Sequence, residues 1–384
     1  MKNILIIHTG GTIGSFANEN ARKMNKETEK ITKRVLIENF EKSNSAFRNF
    51  GKMLEFADFL WENTTLSESM TFAKLSALLN YIKNVNLSIY DGIIVLHGTD
   101  TLAYTAALLS FFCADFKIPV FIVSGNRPPQ DSLSNANDNF KTAIELIWNK
   151  IAPNVYVTYR NSDNITRLYL ASSIMQSENY SDDFRIADSN KAFEVKKENS
   201  DEIKEKCSVF FINRKPYKYA DIKKFENLSE KVLLIKPYTN IDYSVYSNAM
   251  PDFRGIVHGS YHSGTVALGG LVFKEEAENQ RIAGNTAEYE RLIKEYEKEL
   301  NSKYSIKFLA DSCKENNIPL FIAPSKLGKD QYETMNEVVK NTNAKLLDMT
   351  TESAYAKLTL ALSFGMTLEQ IYEYMKTEIN NEFN

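Results

Sequence analysis

Short β-branched and aliphatic runs alternate along the chain with longer segments whose apolar residues recur every three to four positions. The runs predict strands at Asn3–His8, Gly92–His97, Val120–Ser124, Val155–Tyr159 and Val209–Asn213. Between them, Phe72, Leu75, Leu78, Leu79 and Ile82 share one face of a helix at Thr71–Ile82, and Phe140, Ile144 and Trp148 share one at Asp138–Trp148. Strands alternating with helices build an open, mostly parallel sheet covered on both faces. Val195–Lys206 turns charged, and Arg214–Lys231 carries Pro216 and little periodicity, which predicts a linker. A second series follows, with strands at Val232–Lys236, Gly255–His258, Pro319–Ala323 and Lys345–Asp348 and helices from about Ile306, Gln331, Ser353 and Leu368. Thr286–Leu300 places Tyr289, Leu292, Ile293, Tyr296 and Leu300 on one face among Glu and Lys, the pattern of a solvated surface helix. The expected fold is α/β: a larger N-terminal doubly wound, mostly parallel sheet in residues 1–213, a linker at 214–231, and a smaller C-terminal α/β domain in 232–384.

Composition narrows the function classes. With 384 residues, 43% apolar and 25% charged, the chain can bury a full-sized core in each domain, which excludes a disulfide-stapled scaffold or a largely disordered chain. Lys plus Arg number 46 against 49 Asp plus Glu, and no basic block offers the footprint of a nucleic-acid binder. Cys113, Cys207 and Cys313 are odd in number and far apart, with neither zinc-site nor disulfide spacing, and point to a reducing compartment. The apolar opening is too short for a signal peptide, and no run approaches the roughly 18 apolar residues of a membrane span. A soluble, cytoplasmic protein without a membrane partner is expected.

In an open parallel sheet, ligands bind beyond the carboxyl ends of the strands. Three such ends look alike: His8-Thr9-Gly10-Gly11-Thr12-Ile13-Gly14, His97-Gly98-Thr99-Asp100-Thr101 and His258-Gly259-Ser260-Tyr261-His262-Ser263-Gly264-Thr265. Glycines permit sharp turns that present backbone N–H groups, and neighbouring hydroxyls can donate, accept or attack. Gly10-Gly11-x-x-Gly14 is neither the dinucleotide fingerprint nor a phosphate loop, so no nucleotide cofactor is expected. All four histidines sit in these segments, yet they lack helical ligand spacing and accompanying carboxylates; they read as hydrogen-bonded structural residues, with no metal.

Thr9-Gly10-Gly11-Thr12-Ile13-Gly14 together with His97-Gly98-Thr99-Asp100-Thr101 resembles the two signature loops of bacterial-type L-asparaginases, including the cytoplasmic type I enzymes. The similarity extends through Ser67-Glu68-Ser69-Met70-Thr71, which is similar to the family's substrate-binding segment, Gly125-Asn126-Arg127-Pro128-Pro129, Asn139, and Glu352–Leu360. The resemblance implies hydrolysis of the asparagine side-chain amide to aspartate and ammonia, with Thr12 as nucleophile and Thr99 acting with a buried lysine and Asp100. It also implies a substrate site of Gly11, Ser67, Glu68, Gly98, Thr99 and Asp100, in which Asp100 takes the α-ammonium and Ser67 the α-carboxylate, while glycine-turn N–H groups stabilise the oxyanion. A homodimer or homotetramer and an amino-acid substrate are implied in the same way.

Departures from the pattern are equally concrete. Ser15–Lys33, where many members carry a tyrosine in a mobile loop, contains none, and Leu170–Tyr180, where the family lysine is expected, contains no lysine. Ser177, Glu178, Tyr180 and the base His97 are candidates for its task. Glu68 and Ser69 replace the family's Gln and Asp, Thr265 stands for a partner-subunit Asn, and Gly259 for an allosteric Arg. Two alternatives follow: a non-hydrolytic amino-acid binder, or a hydrolase of another amide such as glutamine's.

Overall fold

The first strand is a run of Ile and Leu with both faces buried, and the strand Tyr90–Leu96 beside it is built the same way, as a sheet sandwiched between helices requires. The computed structural model describes residues 3–17, 22–23, 26–43, 50–57, 59, 62, 64–215, 221–328 and 331–384. They divide into two units, Met1–Ser229 with Ser363–Gly365 and Thr377–Asn384, and Glu230–Leu362 with Met366–Lys376.

In chain order the first unit holds β1 (Asn3–His8), a short β2–β3 ladder (Phe16–Ala17, Arg22–Lys23), α1 (Lys26–Ser43), β4 (Leu54–Phe56), α2 (Phe72–Asn84), β5 (Tyr90–Leu96), α3 (Leu102–Phe112), β6 (Val120–Val123), α4 (Ala136–Trp148), β7 (Val155–Arg160), β8 (Thr166–Leu170), a β9–β10 hairpin (Ile174–Met175, Arg185–Ile186), β11 (Ala192–Glu194) and α5 (Ser200–Asn213). Seven strands form one sheet in the order β11-β8-β7-β6-β5-β1-β4, parallel except at the pairs β7–β8 and β8–β11. Ile4 and Ile6 enter a core with Leu36 and Phe40 of α1, Phe140 and Ile144 of α4, and Ile203 and Cys207 of α5. The alternate residues Leu5, Ile7, Ile93 and Val95 are buried on the opposite face. Each such side chain is worth about 1.5–3 kcal/mol of burial. The chain leaves β1 through α1 to β4 on one side, then returns through α2 to β5 on the other side, so the strand order reverses between β1 and β5. A crevice at that reversal is where open sheets hold ligands.

The second unit is a four-stranded parallel sheet, β12 (Val232–Ile235), β13 (Gly255–His258), β14 (Leu320–Ile322) and β15 (Lys345–Leu346), in that order. Between β13 and β14 lie α6 (Leu271–Ile282), α7 (Thr286–Leu300) and α8 (Ile306–Glu315); α9 (Glu333–Asn341), α10 (Thr351–Ser363) and α11 (Leu368–Lys376) follow. Among the described residues no helix is long and apolar enough to cross a membrane.

Most expected elements lie within two residues of their predicted bounds, but Val209–Asn213 is not a strand. It is the last part of α5, where Ile203 and Cys207, with Phe210 and Phe211 packed against the same core, follow helical spacing through the charged stretch. The loop expected at Ser15–Lys33 ends early, because α1 begins at Lys26; residues 18–21 and 24–25 lie outside the described residues. Of the stretch 214–231, residues 216–220 also lie outside them, and Ile222–Lys224 forms a 3-10 turn. The end of the chain returns to the first unit: the Glu382 carboxylate accepts from the N–H groups of Ile379 and Asn380, Asn380 donates to the Ser110 carbonyl at 2.8 Å and Asn381 to that of Phe210 at 3.0 Å, and Lys191 binds the Phe383 carbonyl.

Candidate active site

Beyond β1, the Thr9 hydroxyl donates to the Leu96 carbonyl at 2.9 Å, binding the exit of β1 to the end of β5. Gly10 and Gly11 adopt φ of 110° and 80°, conformations closed to most side chains. The Gly11 N–H donates to the Thr65 carbonyl at 2.9 Å, and Thr65 donates back to Thr9 at the same distance. Thr12 then opens a 3-10 turn, Thr12–Gly14, whose carbonyl end is closed by the Ser15 hydroxyl at 2.8 Å.

The turns after β1 and β5 and the segment at Ser67 meet by direct contact, while the third predicted turn, His258–Thr265, belongs to the second unit. A Cβ at Gly11 would collide with the Gly98 backbone, and one at Gly98 would collide with the Ser67 side chain, so this approach needs glycine at both places. Ser67, buried in the connection from β4 to α2, donates to Asp100 Oδ2 at 2.7 Å and accepts from the Asp100 N–H at 3.2 Å, and its carbonyl accepts from Thr101 at 2.9 Å. Gly11, Ser67, Gly98 and Asp100 therefore stand together at the reversal point. Thr12 and Thr99 are partly buried on the adjoining turns, and among the described residues their hydroxyls make no hydrogen bond. Glu68 is exposed beside Ser67.

The Gly11 N–H donates to the Thr65 carbonyl, and the N–H of Thr12 stands at the open start of its turn. His97 is not a base: it is fully buried, its Nδ1 lies 2.7 Å from the Gly98 carbonyl and its Nε2 3.0 Å from the Thr105 hydroxyl. A carbonyl only accepts, so Nδ1 carries the proton and Nε2 accepts from Thr105. Burial pushes its pKa down to about 4, against smaller upward effects of the Gly98 carbonyl and Asp100, and no lone pair is left for catalysis.

Nor do Ser177, Glu178 or Tyr180 take the lysine's place. The Ser177 hydroxyl is shared between the Ser181 and Asp183 carbonyls, both at 2.8 Å, Glu178 pairs with Arg185 at 2.6 Å, and Tyr180 stands fully exposed. The residue that does reach the site is Gln176, whose amide donates to the Asp100 carbonyl. Sequence reasoning misses it by searching the segment for a charge.

His8 lies below the Thr12 turn, with its ring against Gly14. Its Nδ1 is 3.7 Å from Glu29 Oε1, Lys33 pairs with the same carboxylate, and neither ring nitrogen makes a hydrogen bond among the described residues. Burial pushes its pKa down to about 4; Glu29 opposes that and Lys33 adds to it. In the second unit His258 is buried and His262 exposed. No cluster of three or more metal-ligating side chains occurs among the described residues.

Residues 3–204 match the family model described as Asparaginase, N-terminal. The chain is 29% identical over 184 residues to an L-asparaginase of Thermococcus kodakarensis, covering 47% of this chain and 52% of that one, so it spans about half the length of that relative. It is 24% identical over 390 aligned residues to a glutamyl-tRNA(Gln) amidotransferase subunit of Methanosphaera stadtmanae, covering 100% of this chain and 77% of that one. Among solved structures, the thermostable L-asparaginase of Thermococcus kodakarensis superposes with a TM-score of 0.62 at 18% identity, over 100% of this chain and 99% of that one. L-asparaginase I of Vibrio cholerae gives 0.62 at 19%, with the same coverage. Two signature turns meeting at the reversal of the sheet, and a family model matched over more than half of the sequence, lead to one conclusion: the chain belongs to the asparaginase family.

Proposed function

We propose that the protein is an amidohydrolase that releases ammonia from the side-chain amide of a small amino acid, L-asparagine in the first instance, with Thr12 as nucleophile. The observation that carries this reading is the contact of the Gly11, Ser67 and Gly98 turns, with Asp100 bonded to Ser67, beside a partly buried Thr12. The Thr12 oxygen attacks the amide carbon, its proton passes to the departing nitrogen, and the C–N bond breaks to give ammonia and an acyl-threonine ester. Water then attacks the ester, restoring the hydroxyl and releasing the carboxylate product. The negative charge of each tetrahedral intermediate falls near the Thr12 N–H.

Binding follows from the charges. With no ligand, Ser67 holds Asp100; a zwitterion exchanges that bond for two, its α-carboxylate taking the Ser67 hydroxyl and its α-ammonium the Asp100 carboxylate. Thr99, one residue before Asp100, assists in transferring the proton. A second reading, in which the amide belongs to glutamine or to a larger molecule, is favoured by the whole-length alignment with a glutamyl-tRNA(Gln) amidotransferase subunit and by Glu68, which adds a carboxylate beside the site. Assembly as a homodimer or homotetramer and a cytoplasmic location belong to the same proposal.

The test is ammonia release from asparagine, glutamine and short peptides amidated on their side chains, by wild type and Thr12→Ala. The reading requires release that Thr12→Ala lowers by about a thousandfold or more, as losing a nucleophile does. Release that survives the substitution would refute the nucleophile. A protein that binds aspartate in calorimetry but releases no ammonia from any substrate would be a non-hydrolytic binder.

A further inference from the structure

Asp100 is held at two ends. Its carboxylate receives the Ser67 hydroxyl and its backbone carbonyl receives the Gln176 amide, 76 residues away in sequence. Gln176 directly follows β9, which packs against α3, the helix that begins just after Asp100. The loop beyond it is fixed independently of Asp100. Ser177 caps two of its carbonyls, the Asp183 carboxylate accepts from the Ser162 N–H at 2.6 Å and from its hydroxyl at 2.7 Å, and Ala187 donates to the Ser173 carbonyl at 3.2 Å. The amide is thus presented from a braced hairpin to a turn that has no side-chain cap of its own at Thr101.

We infer that Gln176 is a positioning residue, whose amide sets the Thr99–Asp100 turn in the orientation that grips the ammonium group of an amino-acid ligand. The inference rests on the reading of Asp100 as the ammonium site. Because the amide is neutral, it acts through geometry and not through charge: it orients the carbonyl of Asp100 and, through the shared backbone, the carboxylate. An interaction of this kind is felt in ligand affinity more than in global stability, since the turn is already closed at the Ser67 end.

The experiment measures L-aspartate binding by calorimetry, with melting temperature and the asparagine kcat and KM alongside. Two substitutions remove the donor while keeping the size, Gln176→Met and Gln176→Glu; Gln176→Lys keeps a donor. Both donor-less proteins are expected to bind aspartate about tenfold or more weaker, with KM raised in proportion and melting temperature little changed, while Gln176→Lys stays close to wild type. Should one of them melt early, the other carries the comparison. Binding within about twofold of wild type in either folded donor-less variant overturns the inference, as does equal weakening by Gln176→Lys. Failure of the underlying reading shows itself differently: wild type would bind no aspartate and Asp100→Asn would change nothing, and the role of Gln176 would fall with it.

Discussion

The turn after β5 in the first unit and the turn after β13 in the second are built on the same device. Each begins with a buried histidine and a glycine, His97-Gly98 and His258-Gly259. In each, Nδ1 faces the carbonyl of the following glycine, at 2.7 and 2.5 Å, and Nε2 accepts a hydroxyl at 3.0 Å, from Thr105 in one case and Tyr243 in the other. Burial pushes both rings down to about pKa 4. A histidine wired in this way stiffens the end of a strand and does no proton chemistry. The difference lies one step further on: Gly98 touches Ser67 and leads into Asp100, whereas Gly259 is less tightly enclosed and leads into Ser260, whose hydroxyl is spent on the Pro324 carbonyl at 2.6 Å. The shared turn is scaffold, and what a neighbouring loop brings to it decides whether a site forms.

The largest effect should separate the two turns by function. Asp100→Asn is expected to lower kcat/KM for asparagine by about a hundredfold, while Tyr261→Phe, at the same step past His258, stays within about threefold in the same ammonia assay. Equal losses would break the comparison. Next comes acid stability. His8, His97 and His258 are neutral when folded, with pKa near 4, and ordinary when unfolded, near 6.5. The unfolded chain therefore binds more protons below about pH 6.5, and stability falls as pH drops from there toward 4, by roughly 3 kcal/mol per ring, with no contribution to the slope above pH 7. Urea titrations at pH 7 and 4.5 should show the first unit, with two such rings, losing about twice what the second loses to this cause, and His258→Gln should flatten the second unit's acid slope alone.

A smaller effect sharpens the steric contrast. Gly98→Ala forces a methyl into Ser67 and should cost about 1–3 kcal/mol together with aspartate binding, whereas Gly259→Ala, whose nearest neighbour is Pro237 Cδ at 3.3 Å, should cost under about 1 kcal/mol by denaturant titration and leave binding intact. Similar costs at the two positions would mean that the second turn is as crowded as the first.

Legibility in the sequence follows the source of each feature. β1 and β13 can be bounded as short aliphatic runs, and α7 from its helical periodicity. α3 escapes periodicity because Leu102–Phe112 is buried on nearly every side and has no polar stripe to reveal a period. Val209–Asn213 reads wrongly as a strand because Val-Phe-Phe-Ile suits one when taken alone, and only Ile203 and Cys207 earlier in the segment show the helix. At the site, the glycine and hydroxyl residues are legible because turns advertise themselves in composition. Gln176 is only half legible: the resemblance points to Leu170–Tyr180 as the segment that partners Asp100, but a neutral amide gives no sign of which residue in it makes the contact.

The return of Thr377–Asn384 to the first unit has a consequence for biosynthesis. The bonds from Asn380 to Ser110 and from Asn381 to Phe210 cannot form until residues 380 and 381 have emerged from the ribosome, after the whole of the second unit. The first unit is therefore completed only after the second, and a nascent chain stalled after α11 would expose the seat of residues 377–384 to chaperones and proteases.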